Sequence, residues 1–158
     1  MMRSSRIPPP FWALIFAVAM WASDHAGLDP LVVPVPVRRV GPWLMVVAAL
    51  APAAALIQLR RARTTVNSWR PAAARTLVTS GMYAWSRNPM YLGLALALLG
   101  WALELGTPAA LGGPLLFIPF IHWVQIRPEE RALRRRFGED YARYCGRVNR
   151  WFGRRRRD

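Results

Sequence analysis

Two short stretches hold the residues whose types and spacing could do chemistry. The first is Arg87-Asn88-Pro89-Met90-Tyr91, which follows a turn at Ser80-Gly81 and the rings of Tyr83 and Trp85. The second is the carboxylate pair Glu129-Glu130, just past Arg127-Pro128 and set among arginines. Arg87 and Asn88 offer hydrogen-bond donors, and the carboxylates offer strong acceptors. Pro89 suits the first turn of a helix, where its missing N–H costs nothing. The free N–H groups of such a terminus favour an anionic ligand group. A plainer reading of the first stretch is an aromatic interfacial anchor with a helix cap. A plainer reading of the second is an amphipathic surface helix, because Glu130, Leu133, Phe137, Tyr141, Tyr144 and Val148 step by three or four residues. Gly138 is placed to divide that helix in two. Neither plain reading accounts for two carboxylates against a membrane face, where anionic lipid repels them unless a cation holds them.

The elements that must position these residues are apolar. The 158 residues are 54% hydrophobic and 19% charged, with the apolar residues in blocks. Four segments stand out, at about residues 9–26, 40–59, 89–105 and 107–126. Each is near the ~20 residues that a helix needs to cross hydrocarbon. Pro42, Pro52, Pro114 and Pro119 lie within them, as membrane helices tolerate when neighbours satisfy the freed carbonyls. Arg3 and Arg6 with "FWALIFAVAMWA" resemble a signal peptide, but no clear cleavage site follows, so the segment reads as a first membrane helix. The proline-rich stretch 28–37 reads as an extended crossing on the membrane face. Segments three and four are joined only by Gly106-Thr107-Pro108, which requires an antiparallel hairpin. Gly93, Ala95, Ala97, Gly100, Gly112 and Gly113 are small enough for these two to pack closely. The hairpin places both chemical stretches at one membrane face.

The net charge of +14 comes from 22 basic residues, all of them arginine. With both termini inside, only Arg38 and Arg39 lie outside, a strong positive-inside asymmetry. Topology and contact with anionic lipid head groups therefore explain the charge, and no nucleic-acid module is recognisable. His122, Gln125 and Glu129 recur at spacings that share a helical face, although Pro128 is expected to kink that helix. His122 either lines a pocket or makes an interhelical hydrogen bond. His25 has no visible partner cluster, and Asp24 and Glu104 read as solvated helix ends. The single cysteine, Cys145, excludes an internal disulfide and reads as an inert thiol. No metal-ligand spacing, Gly-rich phosphate loop or nucleophile elbow is present, and no βαβ unit exists to build a soluble Rossmann-type methyltransferase.

The segment "LVTSGMYAWSRNPMYLGLALALLGWAL", followed after the next apolar block by "RPEERALRRRFGEDYARYCGRVNRW", resembles the membrane methyltransferases related to isoprenylcysteine carboxyl methyltransferase, with phospholipid N-methyltransferases as neighbours. Gly81, Tyr83, Arg87, Asn88, Pro89, Tyr91 and Gly93 meet the first half of the pattern. Glu129, Glu130, Leu133, Phe137, Gly138, Tyr141, Tyr144 and Val148 meet the second. Asn88 stands where a histidine is frequent, so a proton relay that needs that ring is lacking. The resemblance implies S-adenosylmethionine as methyl donor, held at the cytoplasmic mouth of the bundle by Thr76, Leu77, Val78, Tyr83, Arg87, Asn88, Pro89, Met90, Tyr91 and Glu129. Arg127 and Glu130 are the candidate catalytic residues. Arg127 either orients a carboxylate or phosphate acceptor or merely ends the helix.

The expected fold is all-α, a single integral membrane domain over 1–158 with about four transmembrane helices and a cytoplasmic helical tail at 127–152. The expected activity is methyl transfer to a small or lipophilic acceptor, a carboxylate, thiol or amine. The expected setting is a bacterial inner membrane, with N- and C-termini inside and the site facing the cytoplasm. A non-catalytic assembly factor or transport subunit is the alternative from another class. A basic, membrane-anchored nucleic-acid binder is a weaker one.

Overall fold

A computed structural model describes residues 7–27, 34–62 and 76–154. Six α-helices follow in order: α1 (Pro9–His25), α2 (Val35–Arg38), α3 (Val40–Arg61), α4 (Pro89–Leu105), α5 (Gly112–Ile121) and α6 (Arg127–Arg147). No strand occurs among the described residues; Val148 and Arg154 form an isolated antiparallel bridge. Prolines begin α1 and α4, where a helix loses no hydrogen bond to them. Gly106 ends α4 at φ 78°, a left-handed conformation that glycine adopts without strain. The Arg38 guanidinium donates to the Glu104 carbonyl at 3.0 and 3.2 Å, satisfying a backbone acceptor at that helix end.

The outward faces are apolar. Phe11, Leu14, Val18 and Trp21 on α1, and Trp43, Val46, Val47 and Leu50 on α3, are all exposed. Inside, Met20, Tyr91, Leu98, Phe117, Ile121 and Ile126 form a core joining α1, α4 and α5. Hydrophobic residues on both the inside and the outside suit a helix bundle surrounded by lipid. Two helical runs among the described residues, Val35–Arg61 and Pro108–Arg147, are long and apolar enough to cross a membrane. The 22 residues of α3 rise about 33 Å, close to the hydrocarbon thickness.

Two expectations about local structure are corrected, and a third is given its form. Residues 35–38 of the proline-rich stretch are helical, because Val37 and Arg38 donate to the Pro34 carbonyl; residues 28–33 lie outside the described ones. Gly93 and Gly100 of α4 serve the contact with α3 rather than the hairpin with α5. A Cβ on Gly100 would stand 2.7 Å from the Gly41 carbonyl, and one on Gly93 would stand 2.7 Å from the Ala48 carbonyl. The close backbone approach is therefore between α3 and α4, while Gly113 meets Met20 of α1. Finally, the disturbance expected at Pro128 takes the form of a π turn. The proline ring would clash with the Val124 carbonyl in α geometry, and residues His122–Ile126 take a wider π turn instead. The helical run then continues into α6, which breaks at Gly138 (φ 49°, ψ −120°), as its glycine anticipated.

Candidate functional site

The two chemical stretches meet where α4 begins and α6 leaves the bundle. Gly81–Ala84 forms a single 3₁₀ turn, fixed to the end of α3 by the Met82 amide, which donates to Gln58 Oε1 at 3.0 Å. The chain then turns into α4 through Ser86, Arg87 and Asn88. Past the Gly138 break, the second half of α6 lies on this turn, with Tyr141 and Tyr144 buried against Leu77, Tyr83 and Phe137. The Tyr144 hydroxyl donates to the Tyr83 carbonyl at 2.7 Å.

A strap of residues 148–154 then returns across the start of α4. The Arg87 amide donates to the Asn149 carbonyl (3.1 Å) and the Gly153 amide to the Trp85 carbonyl (2.7 Å). Asn88 Nδ2 donates to the Arg150 carbonyl at 3.2 Å rather than capping α4, and the Asn88 amide donates to Ser86 Oγ at 3.0 Å. At the centre, Glu130 receives two cations. Arg150 donates to both its oxygens, at 3.0 and 2.7 Å, and the Arg87 guanidinium lies 3.1 Å away. The Arg87 and Glu130 side chains are only 10% and 14% exposed. A second Arg87 nitrogen donates to the Cys145 thiol, and its buried Nε has no partner among the described residues. The cation that a carboxylate near lipid requires is thus supplied twice.

Glu129, one residue earlier, faces a different group. Its Oε1 accepts from the buried Tyr91 hydroxyl at 2.6 Å, and Gln125 Oε1 lies 2.9 Å from the same hydroxyl. Gln125, 1% exposed, donates onward to the Ile7 carbonyl at 2.6 Å. The π turn brings Gln125 and Glu129 to one tyrosine, while His122 rests edge-on against Trp123. The Arg127 guanidinium sits 4.1 Å from the centre of the Trp123 ring, on an exposed aromatic rather than in the Glu130 clamp. Of the other candidates, Leu77 packs under the tyrosine cluster, Pro89 is buried, Val78 and Met90 are half-buried, and Thr76 is exposed.

An apolar groove of about 450 Å³ runs between α4 and α5. Leu92, Leu96 and Leu99 of α4 and Leu115 and Ile118 of α5 line it, together with Trp151 of the strap. Arg150 and Trp151 are the contributions that sequence reasoning missed. Both follow the amphipathic periodicity of α6, in a stretch with no helical signal to place them.

Burial holds the phenols of Tyr83, Tyr141 and Tyr144 well above the ordinary value of 10.0, reinforced by Glu129 for Tyr83 and by Glu130 for Tyr141. The folded form favours the neutral phenol, so its contribution to stability is full below pH 10.0 and is lost as pH rises through the raised values. Phenolate absorbance from these three residues should therefore appear together with loss of helicity on alkaline titration. Phenolate appearing near pH 10 in a fully helical protein would contradict their burial.

Apolar helices, a cluster of carboxylates, tyrosines and arginines at one end of the bundle, and an apolar groove make up the candidate site. The phospholipid methyltransferase family model matches residues 37–140, and the chain belongs to that family of methyltransferases. It is similar to an uncharacterized protein of Haemophilus influenzae, 47% identical over 62 residues, which are 39% of this chain and 98% of that protein. It is also similar to the protein-S-isoprenylcysteine O-methyltransferases of Xenopus laevis and Saccharomyces cerevisiae. These are 37% identical over 75 residues (48% of this chain) and 38% identical over 78 residues (46% of this chain). The match spans only 26% and 30% of those two enzymes' lengths.

Proposed function

We propose that this protein transfers a methyl group from S-adenosylmethionine to a carboxylate on a lipophilic acceptor, at the cytoplasmic face of a bacterial inner membrane. The observation that carries the reading is the Tyr91–Glu129 hydrogen bond beside the Glu130 clamp, in a bundle that also holds a wholly apolar groove. The similarity to two O-methyltransferases favours an oxygen acceptor over a thiol or amine.

The residues present fit the donor. Arg87, whose buried Nε has no partner among the described residues, and the first N–H groups of α4 at Met90 and Tyr91 suit an amino-acid carboxylate. Glu129 suits an ammonium or ribose hydroxyls, and Asn88 adds an amide. Tyr83 and the apolar Leu77, Val78 and Pro89 suit an adenine, with Thr76 at the margin. When bound, the donor supplies an electrophilic methyl on a sulfonium; an acceptor oxygen's lone pair forms the new C–O bond as the C–S bond breaks and its pair returns to sulfur. A carboxylate acceptor loses no proton in this exchange, so a histidine at position 88 is not needed. Tyr91 fixes the Glu129 carboxylate. Glu130, held by two guanidinium groups, acts as a positioning residue that keeps the strap over the start of α4. Arg127, at the edge of the bundle, is placed to draw an acceptor carboxylate toward the site. The apolar surroundings exclude water from the transfer.

Membranes carrying the protein, supplied with methyl-labelled donor, should accumulate label in lipid extracts as base-labile esters. Label only in base-stable products would contradict the carboxylate acceptor, and no label over membranes lacking the protein would contradict the activity.

A further inference from the structure

The strap that closes the polar cluster carries an exposed aromatic ring at its tip. Phe152 stacks on Trp85, with centroids 6.2 Å apart and planes 21° apart. The two residues are 67% and 51% exposed. The Arg154 guanidinium lies 5.2 Å from the centre of the Trp85 ring, and its Nε donates to the Ala84 carbonyl at 3.3 Å. Among the described residues no carboxylate pairs with Arg154: Glu130 is taken by Arg87 and Arg150, and Glu139 and Asp140 by Arg143. Two exposed rings beside an uncompensated cation match a partner that is both apolar and anionic. The depth of the pair follows from its anchorage. The turn that precedes Trp85 is bonded through Met82 to Gln58, three residues before α3 ends at Arg61. Helix α3 is long and apolar enough to span hydrocarbon, and Arg60 and Arg61 are exposed at its end. The ring pair therefore lies level with the end of a span, where aromatic rings gather at the boundary between hydrocarbon and head groups.

We propose that Trp85, Phe152 and Arg154 form a docking surface for the anionic head-group layer of the membrane, and that lipid phosphate at Arg154 fastens the strap over the start of α4. The occupant is the leaflet itself, because the patch sits at the end of an apolar span and its exposed arginines, Arg60, Arg61 and Arg154, complement negative charge. The rings take the apolar side of that boundary and the guanidinium the phosphate side. Fastening at Arg154 acts on the whole strap, since its backbone is tied in one chain of bonds. The Arg87 amide donates to the Asn149 carbonyl, the Asn149 amide to the Gly153 carbonyl at 2.9 Å, and the Gly153 amide to the Trp85 carbonyl. Val148 and Arg154 bridge across the same loop. Between them lies Arg150, which holds Glu130. Lipid charge outside the bundle is thereby coupled to the clamp inside it. The proposal goes beyond the methyl-transfer reading and does not depend on it.

The test places the full chain in nanodiscs of phosphatidylcholine alone or of phosphatidylcholine mixed with phosphatidylglycerol. Hydrogen exchange of the Asn149 and Gly153 amides is measured in both, without any methyl donor. One basic residue at an anionic surface should slow exchange roughly fivefold in the mixed discs, and high salt should remove the difference. Arg154→Gln should lose that fivefold share. Arg154→Lys keeps the charge without the planar fork, and should keep the lipid dependence even if the Ala84 hydrogen bond is weakened. Phe152→Ala should exchange faster than wild type in both lipids, because the ring anchors the strap whatever the head group. Equal exchange of wild type in the two lipids would overturn the proposal. So would an Arg154→Gln variant with the full lipid dependence, or an Arg154→Lys variant with none. Inorganic phosphate that slows exchange as strongly in phosphatidylcholine discs would also overturn it, since a free anion and not the leaflet would then be the partner.

Discussion

Glu130→Ala is expected to release the C-terminal strap and abolish donor binding. The carboxylate is shared by Arg87 and Arg150, and the Arg87 side chain is almost wholly enclosed. Removing it leaves one buried guanidinium without its counter-ion and a second without its anchor. Breaking a buried pair from one side costs about 3–5 kcal/mol, much of it the penalty of the abandoned charge. Arg150 is a third exposed and hydrates when released, so the lower part of that range applies. Glu130→Gln keeps the shape and part of the hydrogen bonding, and should fall between. The exposed pairs of Arg143 with Glu139 and Asp140 supply the contrast, since substitution there should leave stability unchanged. Thermal unfolding in detergent, with limited proteolysis of the strap, measures both. Equal stability of Glu130→Ala and wild type would show that the clamp does not hold the strap.

Gly100→Val carries the second large effect. A single added carbon at this position would stand 2.7 Å from the Gly41 carbonyl oxygen and 2.8 Å from Met45 Cγ. A backbone carbonyl cannot rotate away as a side chain does, so α3 and α4 must separate. Overpacking of this kind costs about 1–3 kcal/mol, and valine's branched Cβ places it at the upper end. The opposite outcome is expected at Gly146 in α6, where an added carbon meets nothing within 4 Å. Gly146→Ala should stabilise by up to about 1 kcal/mol through helix propensity. If Gly100→Val proved as stable as wild type, the α3–α4 contact would be looser than described.

Helix α4 was readable because its apolar run has its own start and stop signals. Pro89 starts α4 and Gly106 ends it, and the expected 89–105 coincides with the helix. Proline and glycine act on their own neighbours, so their effect is visible without knowing what packs nearby. What the small residues of α4 would touch was not readable. Gly93 and Gly100 recur with heptad spacing, which defines a face but not the partner helix; the short hairpin to α5 suggested the wrong neighbour. The π turn was hidden for a similar reason, because a proline predicts a disturbance and not whether the chain bends or widens around it. At the site, the motif residues Arg87, Asn88, Tyr91 and the Glu pair are brought to the same face of the bundle. The pairing pattern was not legible. Glu129 and Glu130 are adjacent in sequence, yet one meets Tyr91 and the other two arginines, since successive helical residues point about 100° apart. Arg150 was indistinguishable from the eleven other arginines of residues 127–158. Its importance comes from a backbone bridge between residues 148 and 154, which no periodicity announces.

The central claim is that the Tyr91–Glu129 pair belongs to a binding site for S-adenosylmethionine. Calorimetric titration of the detergent-purified chain with that donor tests it directly, comparing wild type with Glu129→Gln and Tyr91→Phe. A hydrogen bond to a charged group contributes about 1.5–3 kcal/mol, so Glu129→Gln should weaken binding roughly 10- to 100-fold. Tyr91→Phe, which leaves the carboxylate in place but no longer fixed, should weaken it less. Identical affinity for all three proteins would contradict the account, even if the bundle itself stood as described.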